Sequence, residues 1–234
     1  MPLKAVLFDF NGIILDDEPI HQQLIEELLI NENLRPQPEE FQQFCLGRSD
    51  RACLHDILTE RGRFVNEAYL EKLIALKSQF YNQRLQEMPE LPLFPGLEEI
   101  LAQLKTVQIK LAIVTGALAA EVKAILTRAQ LLDYFSVIVA AEDTTNSKPD
   151  PEGYLLAVKK LNQSDPDLQL TPANCLAIED TFVGITAAKQ AGIAVVGVAH
   201  TYPFHMLQRR ANWAVDYLHD LEVERIQEIF SRAA

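Results

Sequence analysis

Leu3-Lys4-Ala5-Val6-Leu7-Phe8-Asp9-Phe10-Asn11-Gly12-Ile13-Ile14 joins a continuous apolar run to an abrupt polar cluster. Ala5 to Phe8 form the run, and a short apolar run bounded by turn residues reads as a buried strand of a parallel sheet. Asp9, Asn11 and Gly12 follow at once. Open α/β sheets bind ligands outside the carboxyl ends of their strands, which makes Asp9 a candidate active-site residue. A second reading takes Asp9-Phe10-Asn11-Gly12 as a hairpin turn, because Asn-Gly between apolar runs is a strong hairpin signal. The rest of the chain decides between them.

After Ile14 the pattern turns helical. Asp16 or Asp17 suits a helix cap, Glu18 and Pro19 suit a first turn, and Leu24, Ile25, Leu28 and Leu29 form one apolar stripe. Further helical patterns run over 38–45, 50–61 and 66–87, with no strand among them. From Pro95 strands and helices alternate. Strand patterns at 110–115, 137–140, 175–179, 194–198 and 214–217 are separated by helical patterns at 117–129, 151–161 and 182–191, with a helical pattern at 96–105 before them and a terminal helix after. Such alternation reads as βαβ units around a parallel sheet. The expected division is a core of residues 1–15 and 95–234, with a helical insertion at 16–94 over the carboxyl end of the first strand. The joins near Leu15 and Pro95 are its candidate hinges.

An apolar fraction of 48% and a charged fraction of 23% are those of an ordinary globular protein. A net charge of −12 argues against partners that want a basic surface, so neither nucleic acid nor a membrane is expected. The N-terminal apolar run is too short for a signal peptide, and no stretch of eighteen or so apolar residues marks a span. Cys45, Cys53 and Cys175 match no zinc spacing and are expected as buried thiols in a reducing cytosol. A cytoplasmic monomer or weak dimer is the expectation.

Three later segments of the alternating part end in reactive groups. Thr115-Gly116 offers a hydroxyl and free backbone N–H groups ahead of a helix. Lys148 precedes Pro149-Asp150-Pro151, and Glu179-Asp180-Thr181 closes the strand at 175–179. Singly these read as a cap, a solvated charge and a capping cluster. Their shared position at strand ends brings them with Asp9 to one edge of one sheet. Carboxylates from two strands suit Mg²⁺, which takes hard oxygen ligands and completes its octahedron with water and substrate phosphate. Metal, lysine and helix N-terminus would then surround a phosphoryl group with positive charge. A carboxylate beside the metal can attack phosphorus, and Asp9 is the candidate.

Asp9-Phe10-Asn11-Gly12-Ile13, Thr115, Lys148-Pro149-Asp150-Pro151 and Glu179-Asp180-Thr181, in that order, resemble the four motifs of the haloacid dehalogenase-like hydrolase superfamily. Asp17-Glu18-Pro19-Ile20-His21, Gly47-Arg48-Ser49 and the insertion after the first strand resemble its β-phosphoglucomutase and phosphoglycolate phosphatase branch. That likeness implies a Rossmann-like α/β core with helices on both faces and a helical cap. It also implies Asp9 as nucleophile and metal ligand, Thr115 and Lys148 on the transferring phosphoryl group, and Glu179 and Asp180 on the metal. His21, Gly47, Arg48, Ser49 and Gly116 become substrate-binding candidates.

One position departs from the family pattern. Phosphatases of the family carry an aspartate two residues after the nucleophile, whose carbonyl binds metal and whose carboxyl moves protons; here it is Asn11. The carbonyl role survives, but a carboxamide moves no proton near neutral pH, and general acid–base catalysis contributes about 10²–10⁴-fold. The expectation is a Mg²⁺-dependent phosphohydrolase of a small phosphorylated metabolite, acting through an aspartyl-phosphate on Asp9. The alternatives are a sugar phosphomutase and an impaired phospho-ligand-binding protein. Phosphonatase chemistry would want a lysine in the cap, and 16–70 contains none. Asn11-Gly12 is also a deamidation-prone pair.

Overall fold

The computed structural model describes residues 2–232 of the 234. Strand β1, Ala5–Phe8, is buried on both sides. Ala5 and Leu7 enter one apolar cluster while Val6 and Phe8 enter another, the two-residue period of a strand covered on both faces. The other strands are β2 (Lys110–Val114), β3 (Val137–Val139), β4 (Cys175–Glu179), β5 (Ala194–Val198) and β6 (Trp213–Val215). Their order in the sheet is β3-β2-β1-β4-β5-β6, and every described pairing is parallel. β1 lies between β2 and β4, so Asn11-Gly12 turns no hairpin. The last strand begins at Trp213 rather than Ala214.

Between β1 and β2 the chain forms α1 (Glu18–Asn31), α2 (Asp50–Glu60), α3 (Glu67–Glu87) and α4 (Leu97–Thr106). α1 to α3 pack around their own apolar cluster, which includes Ile25, Leu29, Leu54, Ile57, Leu70 and Leu73. The later helices are α5 (Ala119–Arg128), α6 (Glu152–Ser164), α7 (Phe182–Gln190), α8 (Phe204–Leu207) and α9 (Val223–Arg232). Residues of α4, α5 and α9 cover the Val6 and Phe8 side of the sheet, and those of α6 and α7 the other. This is the expected parallel sheet with helices on both faces and a helical insertion. Among the described residues no helix is long and apolar enough to cross a membrane.

Several local expectations shift. The segment 38–45 is not a full helix; only Phe41–Cys45 coils, as a single wide turn. Asp17 stands at the N-cap of α1 but makes no capping bond, because its carboxylate turns to Asn11, His21 and Tyr81. Ser49 and Asn66 do cap, accepting from Ala52 N and Tyr69 N. Cys45 and Cys53 form a disulfide, so the expectation of three thiols holds for Cys175 alone. The cysteines therefore give no support to a reducing compartment.

The two connections at the insertion run side by side. Leu15 bridges Leu93, Asp16 N donates to Pro92 O at 2.8 Å, and Phe94 N donates to Ile14 O at 3.2 Å. Arg128 from α5 donates to Leu85 O and Met88 O, each at 2.6 Å, anchoring the carboxyl end of α3. A cation is favourable there, because terminal carbonyls lack helical partners.

Candidate active site

Strand register brings the site together. Phe8 pairs with Ile113 and Ile178, so Asp9 emerges level with Val114 and Glu179, one residue from Thr115 and from Asp180. Lys148 arrives on the loop after β3, and its Nζ lies 2.9 Å from Asp9 Oδ2 and 2.6 Å from Glu179 Oε1. Tyr154 of α6 donates to Glu179 Oε1 at 2.6 Å. Asp9, Thr115, Lys148, Glu179 and Asp180 are all buried.

This cluster is short of positive charge. Burial, and then the neighbouring Glu179, push the Asp9 carboxyl up to about 8 despite Lys148. Burial followed by Asp9 and Glu179 raises Asp180 well above the carboxylate range. For Lys148 burial works against the ammonium, but Asp9 and Glu179 outweigh it and hold it above the ordinary lysine value. Oxygens of Asp9, Glu179 and Asp180 all lie within 4.8 Å of one another, and Asp180 Oδ1 is buried without a partner. Its other oxygen accepts from Thr201. Three hard oxygen donors, an orphaned acceptor and missing positive charge fit a divalent cation such as Mg²⁺.

The helix N-terminus after β2 is less open than expected. Thr115 Oγ1 accepts from Ala117 N at 3.0 Å, and the Glu142 carboxylate takes Ala119 N at 3.1–3.2 Å. The described donors of that turn are thus partly spent on the protein itself.

Asn11 belongs to a network reaching into the cap. Its Nδ2 donates to Asp17 Oδ2 at 2.8 Å and lies 3.0 Å from His21 Nε2. Asp17 is fully buried and also holds His21 Nε2 at 3.0 Å and the Tyr81 hydroxyl. Burial works against the Asp17 carboxylate, but His21, Tyr81 and Asn11 hold it below the usual range. Behind His21, Lys77 Nζ sits 2.6 Å from its Nδ1 and 2.6 Å from Asp50 Oδ1. Lys77 is thus a cap lysine beside His21, and the lack of lysine in 16–70 is no argument against phosphonatase chemistry. Lys77 is, however, buried and paired with Asp50 at 2.6 Å.

The cap loop lies directly on the core. Ser49 N donates to Ser147 Oγ at 2.9 Å. A Cβ on Gly116 would stand 2.8 Å from Ser49 N, and one on Gly47 would stand 2.5 Å from Thr181 Oγ1, so both contacts require glycine. Arg48 lines the cleft, but Nη1 donates to Phe44 O at 3.0 Å and Nη2 pairs with Asp56 at 2.8 Å, leaving Nε buried without a partner. The cleft brings together Asp9, Asn11, His21, Gly47, Arg48 and Gly116; Ser49 and Lys148 line its neighbour. Sequence reading missed Lys77, Asp50, Tyr81 and Glu121, a buried carboxyl of α5 lining the cleft.

The profile of the haloacid dehalogenase-like hydrolase family matches residues 6–198. The chain is 31% identical over 202 residues to a phosphorylated carbohydrates phosphatase of Thermotoga maritima, covering 85% of this chain and 87% of that one. It is 32% identical to the β-phosphoglucomutase of Bacillus subtilis, covering 97% and 95%. A crystal structure of β-phosphoglucomutase from Clostridium difficile superposes with a TM-score of 0.84 at 25% identity, covering 99% and 98%. Four motifs at strand ends or on the loops after them, a helical insertion and these relatives agree: the chain belongs to the haloacid dehalogenase-like hydrolases, in the capped branch of β-phosphoglucomutase and phosphoglycolate phosphatase.

Proposed function

We propose that the chain is a Mg²⁺-dependent phosphohydrolase of a small phosphorylated metabolite, with Asp9 as the nucleophile. The observation that carries this reading is the buried Asp9–Lys148 pair beside Asp180, whose Oδ1 has no partner. Held by Asp9, Asp180, Glu179 and the main-chain carbonyl of Asn11, Mg²⁺ would supply charge to the phosphoryl oxygens and offset the crowded carboxylates. Lys148 neutralises Asp9 and the incoming phosphoryl group, and Thr115 hydrogen-bonds that group. Asp9 forms the aspartyl-phosphate, and water then releases phosphate. His21, Gly47, Arg48, Ser49 and Gly116 bound the substrate space, and the cap at 16–94 closes over it to exclude water from the first step.

Similarity to phosphorylated-carbohydrate phosphatase and to β-phosphoglucomutase supports a phosphorylated sugar as substrate. Transfer within a sugar phosphate is the second reading, favoured by the similarity over 97% of the chain and disfavoured by the carboxamide at Asn11. Phosphate release from a panel of sugar phosphates, with Mg²⁺ and with EDTA, tests both. Hydrolysis requires metal-dependent release that falls to background in Asp9→Ala. Isomerised sugar phosphate without release means a mutase, and release that survives Asp9→Ala overturns the site.

A further inference from the structure

The cleft contains one carboxyl that no contact employs. Glu18 opens α1 and lines the cleft with Asp9 and Asn11; its carboxyl makes no hydrogen bond or ion pair with any described residue, feeling its neighbours only through charge. Every other side chain placed to move a proton there is committed. Asn11 is a carboxamide. His21 has Nδ1 on Lys77 and Nε2 on Asp17 and Asn11. Asp17 is buried beneath Tyr81, His21 and Asn11, Asp50 is paired with Lys77, and Glu121 is hydrogen-bonded to Ser78.

Resting on the reading of Asp9 as nucleophile, we propose that Glu18 is the catalytic proton carrier of this site, in the office that Asn11 cannot fill. In the first half, an Asp9 oxygen bonds to phosphorus as the bond from phosphorus to the leaving oxygen breaks. The electron pair stays on that oxygen, which takes the Glu18 proton. In the second half, water bonds to phosphorus and the Asp9–phosphorus bond breaks. The Glu18 carboxylate takes the water proton and is ready for the next cycle.

The surroundings suit both halves. Burial pushes Glu18 up to about 7, with Asp17 and Asp50 raising it and His21 and Lys77 lowering it. From the core, Asp180 and Tyr202 are near enough for the Glu18 charge to act on them. A carboxyl that titrates near neutrality can give a proton in one step and take one in the next. Because the alcohols of sugar phosphates leave badly as alkoxides, the proton matters most for alkyl esters and least for aryl esters.

The test is kcat/KM against pH, with Mg²⁺, for glucose 6-phosphate and p-nitrophenyl phosphate, in wild type, Glu18→Gln and Glu18→Gln/Asn11→Asp. Wild-type turnover of the alkyl ester should fall as pH rises above about 7, since the acid must be protonated. Glu18→Gln should abolish that limb and lower alkyl turnover by about 10²-fold or more. Its loss on the aryl ester should be at least about tenfold smaller, which also shows that the variant is folded. Restoring a carboxyl with Asn11→Asp in that background should recover alkyl turnover. Equal losses on both esters, or a limb that persists in Glu18→Gln, would overturn the assignment. Aryl turnover without any alkyl turnover in wild type would overturn it while leaving Asp9 as nucleophile; turnover of neither ester would overturn both.

Discussion

A carboxamide at position 11 changes what the neighbouring side chains must do. Asn11 donates to Asp17 and approaches His21, so it serves as a strut between the loop after β1 and the first cap helix. The Asn-Gly pair looks open to deamidation in sequence, but Gly12 N donates to Leu15 O at 2.9 Å and is not free to attack the side-chain carbonyl. Peptide mass spectrometry after prolonged incubation at mildly alkaline pH should therefore find Asn11 unchanged while the protein is folded, and converted only in the unfolded chain. A one-dalton gain at position 11 in native protein would contradict this. At this scale Asp9, Thr115, Lys148 and Asp180 were legible because each closes or follows a strand, where chain order alone fixes the edge. Lys77, Asp50, Tyr81 and Glu121 were not. They lie within helices, and only the packing of the cap on the core decides which of their faces meets the cleft.

Elements meet the site through a few close backbone approaches. Gly116→Ala places a Cβ 2.8 Å from Ser49 N and 2.9 Å from the Arg48 carbonyl carbon, which must push the cap loop off the core. The expected result is a fall in kcat/KM of about tenfold or more with little change in Tm, since positioning errors of about 1 Å can cost 10²-fold. Unchanged kinetics would show that this contact is not part of closure. The same loop is tied by the Cys45–Cys53 disulfide, whose cysteines are eight residues apart. Thiol titration of unfolded, unreduced protein should find one thiol, Cys175, and reduction should lower stability by about 2–3 kcal/mol. Three titratable thiols without reductant would contradict the pairing. The pairing was hidden in the sequence because its ends belong to a wide turn and a helix whose approach no periodicity reports. The parallel sheet was legible from strand–helix alternation, and β1 from its unbroken apolar run. The boundaries of β6 and of Phe41–Cys45 were not, since short elements carry little pattern.

Across the whole molecule, the crowded carboxylates should couple stability to metal binding. Asp9 titrates near 3.8 in an unfolded chain and at about 8 in the native one, so over that range the native state binds more protons. Without metal, the contribution of Asp9 to stability should accordingly be greatest below about pH 4 and be lost as pH rises to about 8. Held by the ionised set, Mg²⁺ would raise Tm more at pH 8 than at pH 5. Equal Mg²⁺ shifts at both pH values, read by calorimetry, would mean that the cation binds elsewhere.

Phosphoryl transfer through Asp9 can be caught by borohydride trapping during turnover. An acyl phosphate is reduced to an alcohol, so an aspartyl-phosphate at position 9 becomes homoserine, identifiable by peptide mass spectrometry. Homoserine at position 9, formed only with substrate and Mg²⁺ together, is the predicted result. Phosphate release with an unmodified Asp9, or with the reduced residue at any other position, would rule out Asp9 as the nucleophile.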